Sequence, residues 1–341
     1  MYIYKSYQFD ETFFLRFFHI NILNNICYNI NGNLRGLLMS YYDELLKKIP
    51  KIKHILDNDT DYTIYHYTKP EKLLNILSGN TIRFSNVLYL NDKEEIAYSY
   101  RLIVNIIDNS QNLNDELCER IRNHFSNKYK HIVDGNSELI NNLEYFTTSF
   151  SSDNDNLTLW NNYAKGKNYT GYNIGFNKKR LIKEMTENNY LPIYGSVIYD
   201  RQKQIKIIEY ILKKWNAIFS KALLAKKQNK VKLLNIILEL VDVLNIVSIF
   251  FKNPQFKNEK EYRIVIVNTF GTNDSKPTEV VEKNGLFVPF LTYQFSKSSV
   301  SSVNIGPTFE ENIFYTSTNR MLLNFGYKDI EVLRSKIPLR Y

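Results

Sequence analysis

Three groups of side chains in this chain could do chemistry together. Tyr65-His66-Tyr67-Thr68 lies in the N-terminal half, Thr148-Ser149-Phe150-Ser151 near the middle and Glu259-Lys260-Glu261-Tyr262-Arg263 far downstream. If residues 62–67 form a strand, His66 points away from the face shared by Tyr65 and Tyr67. With those tyrosines in the core, the imidazole faces a cleft or solvent. Thr68 then caps the next helix or touches the same ligand. Glu259 and Glu261 share one face if a strand already runs there. Two carboxylates aimed at one pocket repel and raise each other's pKa. Spacing alone favours the plainer alternative, an exposed edge with Lys260 and Arg263 as counter-charges. Trp160 and Tyr163, three apart on one helix face, are either core or a stacking wall for a flat cationic ring, worth about 1–2 kcal/mol per face. Asn91-Asp92 followed by Glu94-Glu95 reads as a helix N-terminus with acids in its first turn.

The elements that must position these groups alternate irregularly. Strands are expected over 62–67, 81–85, 146–151, 172–176, 193–199, 262–267, 286–293, 300–305 and 330–334. Helices are expected over 71–77, 91–107, 114–132, 156–164, 178–185, 201–226, 230–251 and 310–325. The glycine fingerprint of a doubly wound nucleotide fold is absent. The pattern predicts one α+β domain, a mixed β-sheet with helical insertions. Met39-Ser40-Tyr41-Tyr42-Asp43 reads as a helix start with Ser40 as its N-cap. Residues 1–38 then form an N-terminal extension or translated upstream sequence, and 39–341 the domain.

Composition narrows the class. The chain has 341 residues, 44% of them apolar and 23% charged, with 26 Tyr, 21 Phe and 12 Gly. That is enough to bury one large core or two smaller ones. Abundant Asn, Ile, Lys and Tyr read as the codon bias of an AT-rich genome. Cys27 and Cys118 form no disulfide framework, and the five histidines are scattered, so no metal site is expected. The stretch 233–251 contains Glu239, Asp242 and two Asn, and reads as a buried helix rather than a membrane span. Phe13–Leu23 is broken by Arg16 and His19 and makes a poor signal peptide. A cytoplasmic location is expected.

The net charge of +9 is local: residues 201–232 hold ten Lys/Arg and one acid, Glu209, while basic and acidic residues balance elsewhere. Ile208, Ile211, Leu212, Trp215, Ile218, Phe219 and Leu223 recur there at helical spacing. The segment predicts an amphipathic helix with a lysine-coated outer face, within a basic helical insertion at 201–251. Such a face is most simply solvated, and a polyanion contact through 201–232 is the alternative.

Taken in order, further motifs join the first three: Ile82-Arg83-Phe84-Ser85, Leu90-Asn91-Asp92, Leu159-Trp160-Asn161-Asn162-Tyr163-Ala164, Gly171-Tyr172-Asn173-Ile174-Gly175-Phe176, Ile305-Gly306-Pro307 and Ser335-Lys336-Ile337-Pro338. As a set they resemble the bacterial domain of unknown function 2971 family over about residues 62–340. A second resemblance is to ADP-ribosyltransferases: a strand with His-x-Thr, then a helix and a strand, a later serine strand and a last glutamate strand. The sheet core is expected to resemble that fold. The resemblance implies NAD as substrate and no metal. His66 would contact the ribose, with Thr68 as a further cofactor-binding residue, Ser149 or Ser151 would support the site, and Trp160 or Tyr163 would hold the nicotinamide. Glu261 would bond the nicotinamide-ribose 2′-hydroxyl, and Glu259 would help activate the acceptor. The serine strand reads Ser-Phe-Ser rather than Ser-Thr-Ser, and Tyr67 stands where many members carry Gly. The resemblance implies a toxin or anti-phage effector that modifies a protein or nucleic acid. A non-catalytic ligand-binding or regulatory module of a defence system, or a nucleic-acid-binding effector, is the competing expectation. Glu261→Gln is expected to abolish activity and leave the fold intact.

Overall fold

The computed structural model describes residues 56–338 apart from 58–59, 91–93, 135–142, 165–170, 191, 226–228, 270–275, 284 and 309–310. The expected extension 1–38, the Met39 start, Cys27 and Asn91-Asp92 lie outside the described residues.

Strand β1 (Thr63–Thr68) leads into helix α1 (Pro70–Gly79). Pro70 sits in the first turn, where its missing N–H is not needed, and Asn80 ends the helix in the left-handed region at φ 50. Strand β2 (Thr81–Asn86) and helices α2 (Glu94–Asp108) and α3 (Asp115–Asp134) follow. Next come β3 (Leu143–Ser151), the short α4 (Leu157–Leu159) with a π-helical turn (Trp160–Ala164), β4 (Tyr172–Asn177), α5 (Lys178–Glu187) and β5 (Pro192–Ser196). Helices α6 (Arg201–Leu223) and α7 (Lys230–Ile249) begin on side-chain caps, Asp200 and Asn229. The chain ends with β6 (Glu261–Thr269), β7 (Glu279–Lys283), β8 (Leu286–Gln294), β9 (Val300–Ile305), α8 (Glu311–Asn324) and β10 (Glu331–Arg334).

The described strands form one mixed sheet in the order β10-β9-β4-β1-β3-β2-β8-β7, with β6 lying between β3 and β5. Only β10 runs parallel to its neighbour; the other pairs are antiparallel. The sheet forks at β3. One edge of β3 pairs with β6 along its whole length, from Leu143↔Thr269 to Ser151↔Glu261. The other edge meets β1 at Tyr65↔Ser151 and β2 at Ser85↔Thr147 and Asn86↔Phe146. Between those contacts β1 and β2 diverge and leave a gap beside Ser149.

Strand β6 shows why this region is buried on both faces. Tyr262, Ile264 and Ile266 join the apolar cluster of β1, β2, β4, β8, β9, α1 and α5. Val265 and Val267 join a second cluster with α2, α3, α6 and α7. The run reads continuously apolar because each face has its own core. Arg263 occupies the helix-facing row at the end nearest the fork, where it is 1% exposed.

The structure corrects several sequence expectations. Strand β7 was not expected; three of the five residues in its Glu279-Val280-Val281-Glu282-Lys283 run are charged, and pairing with β8 makes it a strand. The 156–164 helix gives way to a π-helical turn after three residues. Ile218 is 37% exposed rather than on the inner face of α6. Helix α7 is apolar nearly all round and is buried along its second half, as expected for a core helix. No described helix is long and apolar enough to cross a membrane.

Candidate active-site cleft

A cleft of about 530 Å³ opens at the fork of the sheet. It falls in the size range of small-molecule sites. His66, Ser149, Ser151, Tyr163, Glu259 and Glu261 all line it. They come from four places in the chain, β1, β3, the π turn and the entry to β6, and the fork brings them together.

The imidazole of His66 fills the gap where β3 lacks a strand partner: its Nδ1 lies 3.0 Å from the carbonyl oxygen of Ser149. Its ring also packs edge-on against Phe150, with centroids 5.8 Å apart. Burial lowers its pKa, and the nearby Lys72 charge adds to this against the bond to Ser149. The ring is therefore neutral at pH 7. Ser149 is exposed, and its hydroxyl donates to Glu261 Oε1 at 2.5 Å.

Glu261 is 6% exposed and sits in a buried charge cluster. Arg263 Nε donates to its Oε1 at 2.7 Å and Nη2 to its Oε2 at 3.0 Å. Lys252 Nζ donates to Oε2 at 2.9 Å and to Glu259 Oε2 at 2.7 Å. Arg263 also pairs with Glu95 and reaches the Ile249 carbonyl at the end of α7. Three carboxylates thus meet two cations, leaving one negative charge in excess. Burial alone would raise the pKa of Glu261, but Arg263 and Lys252 reverse this and bring it down to about 2. Glu95 goes the other way: burial raises it and the Glu261 charge adds to that, and Arg263 only partly compensates.

The geometry corrects the reading of the glutamate pair. Glu259 does not lie on the strand. It ends a 3-10 turn (Pro254–Glu259), and Lys260 follows in the left-handed region at φ 46. Lys252 bridges the two carboxylates. Glu259 also accepts the Tyr163 hydroxyl at 2.9 Å.

Two residues expected at the cleft lie away from its lining. Thr68 is buried, 3% exposed. Trp160 belongs to a small apolar cluster with Tyr67, whose ring it meets at 4.6 Å, and its indole N–H donates to Asp155 at 2.9 Å. The π turn is the reason. Its i→i+5 winding turns through a smaller angle per residue than an α-helix, so Trp160 and Tyr163 do not share a face: the first is buried and the second reaches the cleft. Gly171 permits this packing, since a Cβ there would come within 2.4 Å of Ala164. Ser151 lines the cleft but is 1% exposed, and its hydroxyl donates to the Glu259 carbonyl at 2.8 Å. It shapes the glutamate turn rather than presenting a group to a ligand.

Lys252 and Glu95 are the site residues that sequence reasoning missed. Lys252 follows α7, and the Gln204 side chain from α6 donates to its carbonyl at 2.9 Å and to that of Ile198 at 2.6 Å. The basic helical insertion therefore helps to build the cleft floor. Glu95 looked like an ordinary first-turn acid of α2. The available signal was a lysine and a glutamate at the ends of strongly apolar helices, where burial demands a partner. Among the described residues no group of His, Cys, Asp or Glu could hold a metal ion.

Residues 159–264 match the family described as "Protein of unknown function (DUF2971)". The matched segment runs from the π turn through β4, β5 and both insertion helices to Glu259, Glu261 and Arg263. It supports the first resemblance and carries no activity with it. No curated protein and no solved structure matches the chain.

Proposed function

We propose that the cleft binds NAD as a substrate and transfers its ADP-ribose to a protein or nucleic-acid acceptor, as a toxin or anti-phage effector would. The observation that carries this reading is the joining of His66, Ser149 and Glu261, from β1, β3 and β6, in one cleft. An ionised carboxylate beside a neutral imidazole and a mobile hydroxyl suits a reaction that develops positive charge on a sugar.

In the proposed reaction the bond between ribose C1′ and the nicotinamide nitrogen breaks. Its electron pair leaves with the ring, and neutral nicotinamide departs. Positive charge grows on C1′ and the ring oxygen. The Glu261 carboxylate, held ionised at neutral pH, accepts the ribose 2′-hydroxyl and stabilises that charge. Both oxygens of Glu261 already accept two internal hydrogen bonds each. The exposed Ser149 hydroxyl is the one that must swing aside, so a substrate hydroxyl exchanges with it. Tyr163 supplies an aromatic face beside Glu259, and Glu259 takes the proton of the attacking acceptor.

The saturation of Glu261 by Arg263, Lys252 and Ser149 favours a second reading, a non-catalytic ligand-binding module with this cluster as its structural floor. Nicotinamide release from NAD, with and without cell lysate, separates the two. Glu261→Asp keeps the charge but withdraws the carboxylate, and a displacement of that size costs about 100-fold in rate. The variant should stay folded by circular dichroism and lose about that much. No release by the wild type at saturating NAD with lysate present, or a full rate in the variant, would reject the reading.

A further inference from the structure

The cleft is electrically two-sided. Its floor holds Glu95, Glu259 and Glu261 with Lys252 and Arg263, one negative charge in excess, whereas the exposed Arg83 and Lys283 line it as well. Arg83 projects from β2 and is exposed, and its guanidinium lies 4.4 Å from the centroid of the Phe290 ring on β8. That cation–π contact restrains the group. Among the described residues Arg83 forms no ion pair. Lys283 ends β7, the strand that pairs beyond β8, so it stands on the same flank of the fork. Lys72, exposed on α1, lies close enough for its charge to depress the pKa of both Lys283 and His66, in each case after burial.

Exposed cations lining one cleft draw an anion into it. A guanidinium restrained against an aromatic ring presents the forked donors that match phosphate oxygens. We propose that Arg83 and Lys283, with Lys72 behind them, form a phosphate-binding wall that takes the diphosphate of a nucleotide. The sugar then reaches the carboxylate floor. This assignment rests on the reading of the cleft as a nucleotide site. It goes beyond it by naming residues that contact the phosphates and never touch the bond that breaks.

The test is equilibrium binding of ADP and of adenosine, which lacks the phosphates, by calorimetry at low and moderate salt. The wild type should bind ADP at least about tenfold more tightly than adenosine, the equivalent of about 1.4 kcal/mol. That preference should shrink with salt. Arg83→Gln/Lys283→Gln should abolish it while adenosine binding and the melting temperature stay unchanged; both side chains are exposed, so the fold should tolerate the change. Arg83→Lys should restore only part. Equal binding of ADP and adenosine by the wild type, or undiminished ADP binding by the double variant, would overturn the wall. ADP preference without nicotinamide release would reject the proposed reaction and leave the wall standing. Nicotinamide release at an unchanged KM for NAD in the double variant would do the reverse.

Discussion

The Lys252 ammonium lies 2.9 Å from Glu261 Oε2, and both side chains are almost fully buried. The same ammonium holds Glu259 at 2.7 Å and stands 4.0 Å from Glu95. It is therefore the group through which three carboxylates of one cleft tolerate one another. Burial would depress its pKa, and the carboxylates raise it instead.

Lys252→Met should destabilise the protein by about 3–5 kcal/mol at pH 7, because it leaves buried carboxylates uncompensated. The pH dependence has a definite sign. In the wild type Glu261 is depressed to about 2, so its stabilisation is present above its ordinary 4.5 and is lost as pH falls toward 2. In the variant, carboxylates raised above 4.5 contribute stability that is present below that value and lost as pH rises. The deficit should be greatest at pH 7 and narrow as pH falls, first above 4.5 as the variant's raised carboxylates take up protons, then down to about 2 as the wild type loses its own stabilisation. Urea unfolding at several pH values measures it, and a deficit independent of pH would contradict the bridge.

Glu261→Gln should not leave the fold intact, contrary to the expectation from sequence. It removes a charge bonded to both Arg263 and Lys252, at a cost of about 3–5 kcal/mol. Glu95→Gln touches the same cluster but keeps an oxygen for Arg263 and removes a carboxylate whose pKa is already raised. It should cost clearly less. Parallel denaturation at pH 7 decides, and equal losses would show that Glu95 is as tightly built in as Glu261.

Lys203, Lys206, Lys213 and Lys214 lie on the outer side of α6, the first three exposed and the last half-buried. Changing all four to Glu should alter solubility and shift stability by at most about 0.5 kcal/mol per site. Lys203→Glu alone should be slightly stabilising, since an acid in the first turn suits the helix dipole. Filter binding of RNA and DNA checks the alternative. Wild-type binding that falls steeply with salt and disappears in the fourfold variant would make this face a polyanion contact surface.

Local chemistry in the sequence determined much of the architecture. Alternating and periodic apolar residues placed most of the strands and helices within a few positions, because burial on one face leaves that record. His66, Ser149, Glu259, Glu261 and Tyr163 were legible as candidates from residue type and order, and all five line the cleft. Tertiary structure alone decided the rest. Trp160 turned inward because a π turn has a different pitch from an α-helix, and no residue pattern announces it. Thr68 packed away from the cleft, and β7 became a strand through its partner β8. Glu95, in α2, and Lys252, after α7, joined the site from places far apart in the chain. Which distant charges share one desolvated space depends on how the layers pack, and a periodic pattern records only that a side chain is buried, not against whom.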